Sequence, residues 1–442
     1  MIHHWDINQK MKGNNMKISI KRHIVIGVTV LAVASLVAGC SSSPAPNNTT
    51  ATGGVVQLSM LTGFTGSDKA SYDALIAQWN SLNPNIQVTM DVLPWADVAQ
   101  KLPQSWATGQ GPDLATPSSD PGSIFNYINN NTVLPLDDAV GDGDTQINAS
   151  AFPDSVRNAF TVNGHLYAVP ANLATLVLYY NKTMFAAAGI ANPPATQDEF
   201  IADVKQLTIG GANPTQFGIS LADNNTIQMW PILQWMNGGD IIDANGCAVI
   251  DQPASVEALT TWANLVINNH ISPIGQTGAD ADTLFSAGKA AMEINGPWAA
   301  GTFTSAGIDL GIAQVPVGPA GPVTLASTVP LMIEATTPHP AEAKAFLAWW
   351  TGKTAQAAFA ESSGFPPVRT DMNDAVASNA TVAMFAAALP HAKLYLAGQP
   401  NATQIDSDVY VPLIGNITRG ADVQSATTDA AKAINAITGC TQ

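Results

Sequence analysis

The sequence predicts an α/β fold divided into two lobes, and three observations carry that expectation. Of the 442 residues, about 390 remain after an export leader and a tether, more than one ordinary core holds. A strand–helix–strand succession opens the globular part, which is the βαβ unit of a largely parallel sheet. The same alternation returns in the second half of the chain. No internal repeat of roughly 20–50 residues, the mark of solenoids and propellers, accompanies it.

Residues 55–61 are the first strand candidate. Tyr72, Leu75, Ile76, Trp79 and Leu82 then recur at spacings of three and four, which marks an amphipathic helix. Next, Ile86, Val88, Met90 and Val92 alternate with Gln87, Thr89 and Asp91, the pattern of a half-buried strand. Further on, residues 176–180 are rich in β-formers. Thr196 with Glu199 fits a capping box that opens a helix through Phe200 and Val204 to Leu207. Residues 256–267 are helical by pattern, and 290–294 and 311–317 are short strand candidates, the latter broken by Pro316. Pro340 suits the first position of a helix that continues to Trp350.

The N-terminal region reads as an export address. Met16, Lys17, Lys21 and Arg22 form a basic segment, followed by an apolar run over residues 24–38. That order is a secretory signal peptide, and the run is shorter than the roughly 20 residues a membrane-crossing helix needs. The preceding residues suit a misplaced start, with Met16 or Met11 the better first residue. The run ends in Leu36-Val37-Ala38-Gly39-Cys40, which resembles the lipobox of bacterial lipoproteins. That resemblance implies lipidation of Cys40; a plain cleaved signal or an uncleaved anchor is the alternative. Residues 41–54 lack large apolar side chains and read as a flexible tether.

The leader holds five of the 17 basic residues and one of the 33 acidic ones, leaving 12 and 32, a net charge of −20. Such a chain has no basic face for nucleic acid or for anionic lipid. With Cys40 set aside, Cys247 and Cys440 remain. Outside the cytoplasm two such cysteines often pair; free thiols or a bond to another chain are the other readings. No Cys or His spacing suggests a metal site, and no cofactor is called for.

Four segments together resemble bacterial extracellular solute-binding proteins of the maltose-binding type. They are Ala107-Thr108-Gly109-Gln110-Gly111-Pro112-Asp113-Leu114; Leu178-Tyr179-Tyr180-Asn181-Lys182 with Phe185, Gly189 and Asp198-Glu199-Phe200; residues 288–298, ending in Asn295-Gly296-Pro297-Trp298; and Phe346-Leu347 onward to Gly364-Phe365-Pro366-Pro367. They occur in family order from about residue 55 to the end of the chain. The resemblance implies the type II periplasmic-binding-protein-like fold, with discontinuous lobes joined by a hinge. Lobe 1 is expected at 55–170 plus 318–362, and lobe 2 at 171–317 plus 363–442. It implies a monomeric, lipid-anchored subunit on the outer face of the cell membrane. That subunit would capture a sugar between its lobes and deliver it to the transmembrane permease of an ABC importer.

A sugar offers hydroxyls that need hydrogen bonds and C–H faces that suit aromatic rings. By the resemblance, Trp298 is the stacking platform and Asp120 a hydroxyl-binding carboxylate, although Asp120 could equally cap the Pro121-Gly122 turn. Phe64, Thr65 and Asp68 belong to the loop after the first strand, at the lobe edge facing the cleft. Trp230 before Pro231, Tyr410 in the last lobe-2 segment, Asn172 on the crossing segment and Trp95 after Pro94 complete the expected ligand contacts. For each of these aromatics a place in the core is the competing reading. The maltose binder has Glu, Trp and Tyr where this chain has Ala174, Pro117 and Ile227, so maltodextrin itself does not carry over.

No GxxxxGK[ST], GxSxG or HExxH motif is present, and no catalytic residue is assigned. His165, His270, His339 and His391 have no partner at metal or triad spacing. The acidic stretch 137–144 misses the EF-hand pattern. Two other functions are weighed. A binder of an anionic or phosphorylated solute, such as a glycerophosphodiester, would want arginines, and the chain after its leader has only Arg157, Arg369 and Arg419. A glycoside hydrolase would need a paired set of carboxylates, which counting alone does not exclude.

Overall fold

The computed structural model describes residues 54–118, 121–224 and 229–441. The signal segment, Cys40 and Asp120 lie outside the described residues. Among the described residues, no helix is long and apolar enough to cross a membrane.

The chain opens with strand β1 (Val56–Thr62), helix α1 (Lys69–Leu82), strand β2 (Ile86–Val92), helix α2 (Trp95–Ala107) and the short strand β3 (Leu114–Ala115). β1 pairs in parallel with both β2 and β3. Tyr72, Leu75, Ile76 and Trp79 of α1 are buried, as their spacing of three and four requires. Returning strands Pro330–Ile333 and Val169–Pro170 complete this sheet antiparallel, giving it a mixed edge.

Asp113 of the Gly-Pro-Asp segment acts as a clamp on this sheet. Its carboxylate accepts from the Ser59 N–H and hydroxyl, both at 2.8 Å, and from Thr337 Oγ1 at 2.6 Å. These donors hold its pKa below the usual carboxylate range despite the opposing effect of burial.

A second sheet joins Leu310–Ala313, Val177–Asn181 and Met292–Asn295, all antiparallel. The largely parallel sheet expected from the sequence is therefore found in the first three strands, with one further parallel pair, Thr324–Ser327 against Ala392–Leu394, in a third sheet. Strand–helix alternation fixes element order, but the pairings of the second sheet are between segments more than 100 residues apart, which local pattern does not encode. The capping box at Thr196 and Glu199 is present on both of its hydrogen bonds.

Two large cores result. One draws on residues 58–174 and 326–368. The other draws mainly on residues 176–294 and 396–434. The chain crosses between them on paired antiparallel strands, Ala174–Thr175 against Thr324–Ser327. Phe365 and Val368 pack in the first core, past the expected lobe boundary at residue 363. Val368 N–H donates to Gln356 Oε1 at 2.9 Å, holding this segment against helix Lys353–Ser363. Cys247 and Cys440 are joined as a disulfide, 193 residues apart in sequence, which ties the C-terminal helix Val423–Thr438 to the second core.

Candidate functional site

A cavity of about 300 Å³ lies between the two cores. Its first wall is the loop after β1, with Gly63, Phe64, Thr65, Gly66 and Asp68, together with Trp95 at the start of α2. The opposite wall is strand Met292–Asn295, the turn to Trp298, and the first residues of helix Gly278–Ser286. Asn172, Ser327 and Val329 of the crossing segments form part of the lining.

The two tryptophans lie flat for the same reason. A Cβ on Gly63 would collide with the Trp95 indole, and a Cβ on Gly296 would collide with that of Trp298. Each ring thus rests on a backbone that only glycine leaves bare. The Trp298 turn is fixed from both sides. Tyr179 Oη donates to the Gly296 carbonyl at 2.8 Å, and Gly296 N–H donates to Asn295 Oδ1 at 2.8 Å. Pro297 then starts helix Pro297–Ser305 at its first position. Trp298 is half-buried and packs against every one of the hydrophobic clusters. Phe64 stacks on Tyr72 with ring centres 3.8 Å apart and meets Trp95 edge-on at 5.6 Å.

Three ionisable residues line the cavity: Asp68, Asp282 and Glu293. No lysine, arginine or histidine is among the described lining residues. Burial pushes the Asp68 carboxyl up to about 6, against the lowering effect of its own backbone N–H. Glu293 is 0 % exposed on its strand, and burial raises its pKa well above the carboxylate range, with the neighbouring Asp282 adding to the rise. Burial raises Asp282 as well. Asn295 Nδ2 donates to Asp282 Oδ1 and to Glu293 Oε1, both at 2.8 Å. Two acids and an amide thus form one hydrogen-bonded cluster at the base of the cavity.

The structure distributes the expected contacts unevenly. Phe64, Thr65, Asp68, Trp95, Asn172 and Trp298 line the cavity. Asn172 is largely committed already. Its Nδ2 donates to Tyr72 Oη at 2.7 Å and its Oδ1 accepts from Val329 N at 3.2 Å, across the crossing strands. Trp230 and Tyr410 are placed differently from the expectation. Both are 0 % exposed in the second core. Trp230 Nε1 donates to the Ala222 carbonyl at 2.9 Å, and Tyr410 Oη bonds Gln234 Oε1 at 3.1 Å. Large aromatic surface and a satisfied polar tip place both in the interior, and neither lines the cavity.

Asp282, Glu293 and Asn295 were not anticipated. A signal existed for two of them: glutamate at 293 and asparagine at 295 sit two apart in a buried-strand pattern, so they share one face. Asp282 has no comparable local signal, since it reaches the site only through the approach of helix Gly278–Ser286.

Two α/β lobes joined by crossing strands, with a cavity between them, define the type II periplasmic-binding-protein fold. The model of the family described as bacterial extracellular solute-binding protein matches residues 65–357, and this chain belongs to that family. An extracellular-binding protein of an ABC transporter from Pyrococcus horikoshii is 27 % identical over 378 residues, covering 79 % of this chain and 80 % of its own length. Among solved structures, the GacH receptor of Streptomyces glaucescens, known unliganded and with acarbose, superposes with a TM-score of 0.77 at 22 % identity, covering 88 % of this chain and all (100 %) of that one. UgpB from Mycobacterium tuberculosis, in complex with glycerophosphocholine, superposes with a TM-score of 0.76 at 24 % identity over 87 % of this chain and 98 % of that one. At these identities the structural likeness concerns the fold.

Proposed function

We propose that this chain is the sugar-capturing subunit of an ABC importer, anchored through a lipid on Cys40 and presenting its closed, loaded form to a membrane permease. It works as a monomeric binding protein and not as an enzyme. The two lobes are those built on the two cores, expected at 55–170 plus 318–362 and 171–317 plus 363–442, with the later boundary moved past Val368, which packs in the first core. The carrying observation is the lining of the cavity. Flat indoles at Trp95 and Trp298 offer platforms for sugar C–H faces, while Asp68, the Asp282–Glu293–Asn295 cluster and Ser327 offer partners for hydroxyls. Asp120 and Cys40 belong to this proposal on the sequence resemblance. The acarbose complex of the GacH receptor and the ABC-transporter relative support the same reading.

A glycerophosphodiester, as bound by UgpB, is the second reading. The cavity lining disfavours it. A phosphate would face carboxyl groups with no cationic partner in the lining. Arg157 is paired with Asp154 and Arg369 with Asp371, and Arg419 donates to the Gly415 carbonyl. A thermal-shift screen over sugars, polyols and glycerophosphodiesters, followed by calorimetry, tests the choice. A sugar should raise the melting temperature in proportion to its concentration over Kd. Stabilisation by glycerophosphodiesters alone would reverse the assignment. Recovery of the sugar intact after incubation separates a binder from a hydrolase.

A further inference from the structure

The base of the cavity presents an imbalance of hydrogen-bond acceptors. Glu293 is fully buried yet contributes to the cavity wall, and its Oε2 accepts from no amide or hydroxyl donor among the described residues. Its charged neighbour is Asp282, another acceptor when ionised. Asn295 supplies one N–H to each acid, on Asp282 Oδ1 and Glu293 Oε1. The two carboxyl groups are also hydrogen-bonded to each other, which places one proton on the pair, and the oxygens left over need donors that the protein side does not supply. A buried acceptor left unmade is costly, more so when it carries charge.

A sugar hydroxyl brings one proton and no charge. A protonated amine brings up to three N–H donors and a positive charge, and charge-assisted bonds to carboxylates are the stronger kind. With Asp68 on the opposite wall, every ionisable group of the described lining is an acid, and no cation competes. The indole faces of Trp95 and Trp298 favour the same sign of charge. No group of three metal-binding side chains exists among the described residues, so the cluster does not form a metal cage.

Resting on the sugar reading above, we propose that the cavity selects a sugar bearing a basic nitrogen, whose ammonium group sits against the Asp282–Glu293 pair. Asp282 and Glu293 are then the residues that set specificity, and the aromatic platforms hold the ring in place.

The test is calorimetry near neutral pH on matched ligands. Glucose, galactose and mannose are each compared with their 2-amino and 2-acetamido counterparts, and cellotriose with the chitosan trimer and triacetylchitotriose. Within at least one set the amine should bind at least about tenfold more tightly than both neutral partners, a difference of about 1.4 kcal/mol. Glu293→Gln and Asp282→Asn should each reduce that preference to about twofold or less. If a neutral member binds as tightly as its amine in every set that binds, the inference is overturned and the sugar reading stands. If no member binds at all, both fall together. Should a variant fail to fold, as judged by circular dichroism, the wild-type comparison decides alone.

Discussion

The Ser67 hydroxyl donates to the main-chain carbonyl of Trp298 at 2.6 Å, joining residues 231 apart in sequence across the mouth of the cavity. Ser67 belongs to the loop between β1 and α1, and Trp298 to the first turn of helix Pro297–Ser305. A neighbouring glycine makes the approach possible: a Cβ on Gly301 would lie 2.8 Å from Ser67 Oγ. This contact holds the two walls together at one edge.

Ser67→Ala should therefore loosen the closed arrangement without damaging either core. A single intramolecular hydrogen bond contributes about 0.5–1.5 kcal/mol net. The ligand-free variant should show a larger radius of gyration by small-angle scattering, and its sugar affinity should fall by roughly 2–10-fold. In the wild type, saturating sugar should shrink the radius, because a ligand touching both walls shifts the equilibrium by its differential affinity for the closed form. Identical scattering curves for variant and wild type would deny the contact any role in closure.

Removing the platform gives a second expectation. Trp298→Ala should weaken sugar binding by about 1–3 kcal/mol while the fold survives, with a lowered melting temperature because the indole packs against both large cores. Gly296→Ala should mimic part of this loss by displacing the ring from its backbone bed. Calorimetry on the folded variants checks both, and unchanged affinity in Trp298→Ala would remove the residue from the site.

The Asp68 carboxyl links stability to pH. Its folded pKa of about 6 lies above the ordinary value of 3.8, so between about pH 4 and 6 the folded state binds more protons than the unfolded one. Stability from this group is full below pH 4 and is lost as pH rises through 6, by an amount on the order of 1–3 kcal/mol. Asp68→Asn should remove this part of the dependence. Urea melts of the ligand-free proteins at pH 4.5 and 7.5 should show a smaller difference for the variant than for wild type. Equal differences would mean that Asp68 does not titrate in that window.

The Cys247–Cys440 bond makes a fourth expectation. Closing a long loop restricts the unfolded chain, with a typical stabilisation of 2–4 kcal/mol. Unreduced, unfolded protein should label no thiol at either position. Reduction, or replacement of both cysteines by serine, should lower the urea midpoint. Labelling of both residues without reductant would contradict the pairing.

Much of this protein was legible in its order of residues. The periodicity of Tyr72, Leu75, Ile76 and Trp79, the alternation from Ile86 to Val92, and the capping pair Thr196 and Glu199 are local signals, written in neighbours three or four positions apart. They fix which segments become helices and strands. The glycine and proline around Trp298 are local too, so the turn that presents the ring could be anticipated. The same logic placed Phe64, Thr65 and Asp68 at the end of a strand, where an α/β sheet offers its ligand edge.

What the sequence alone could not decide is which aromatic and acidic residues face the gap between the cores. Trp230 and Tyr410 carry the residue types a sugar site uses, yet the packing of the second core takes them inside, each with its own polar partner. Glu293 and Asp282 sit on consecutive elements, and only the packing of helix Gly278–Ser286 against strand Met292–Asn295 turns their carboxyl groups toward each other. The pairing of Met292–Asn295 antiparallel to Val177–Asn181 likewise spans more than 100 residues of chain. Local propensity acts over a few residues and so determines the elements; the burial of their faces against distant partners is a property of the whole chain, and it alone determines which side chains are left to line the cavity.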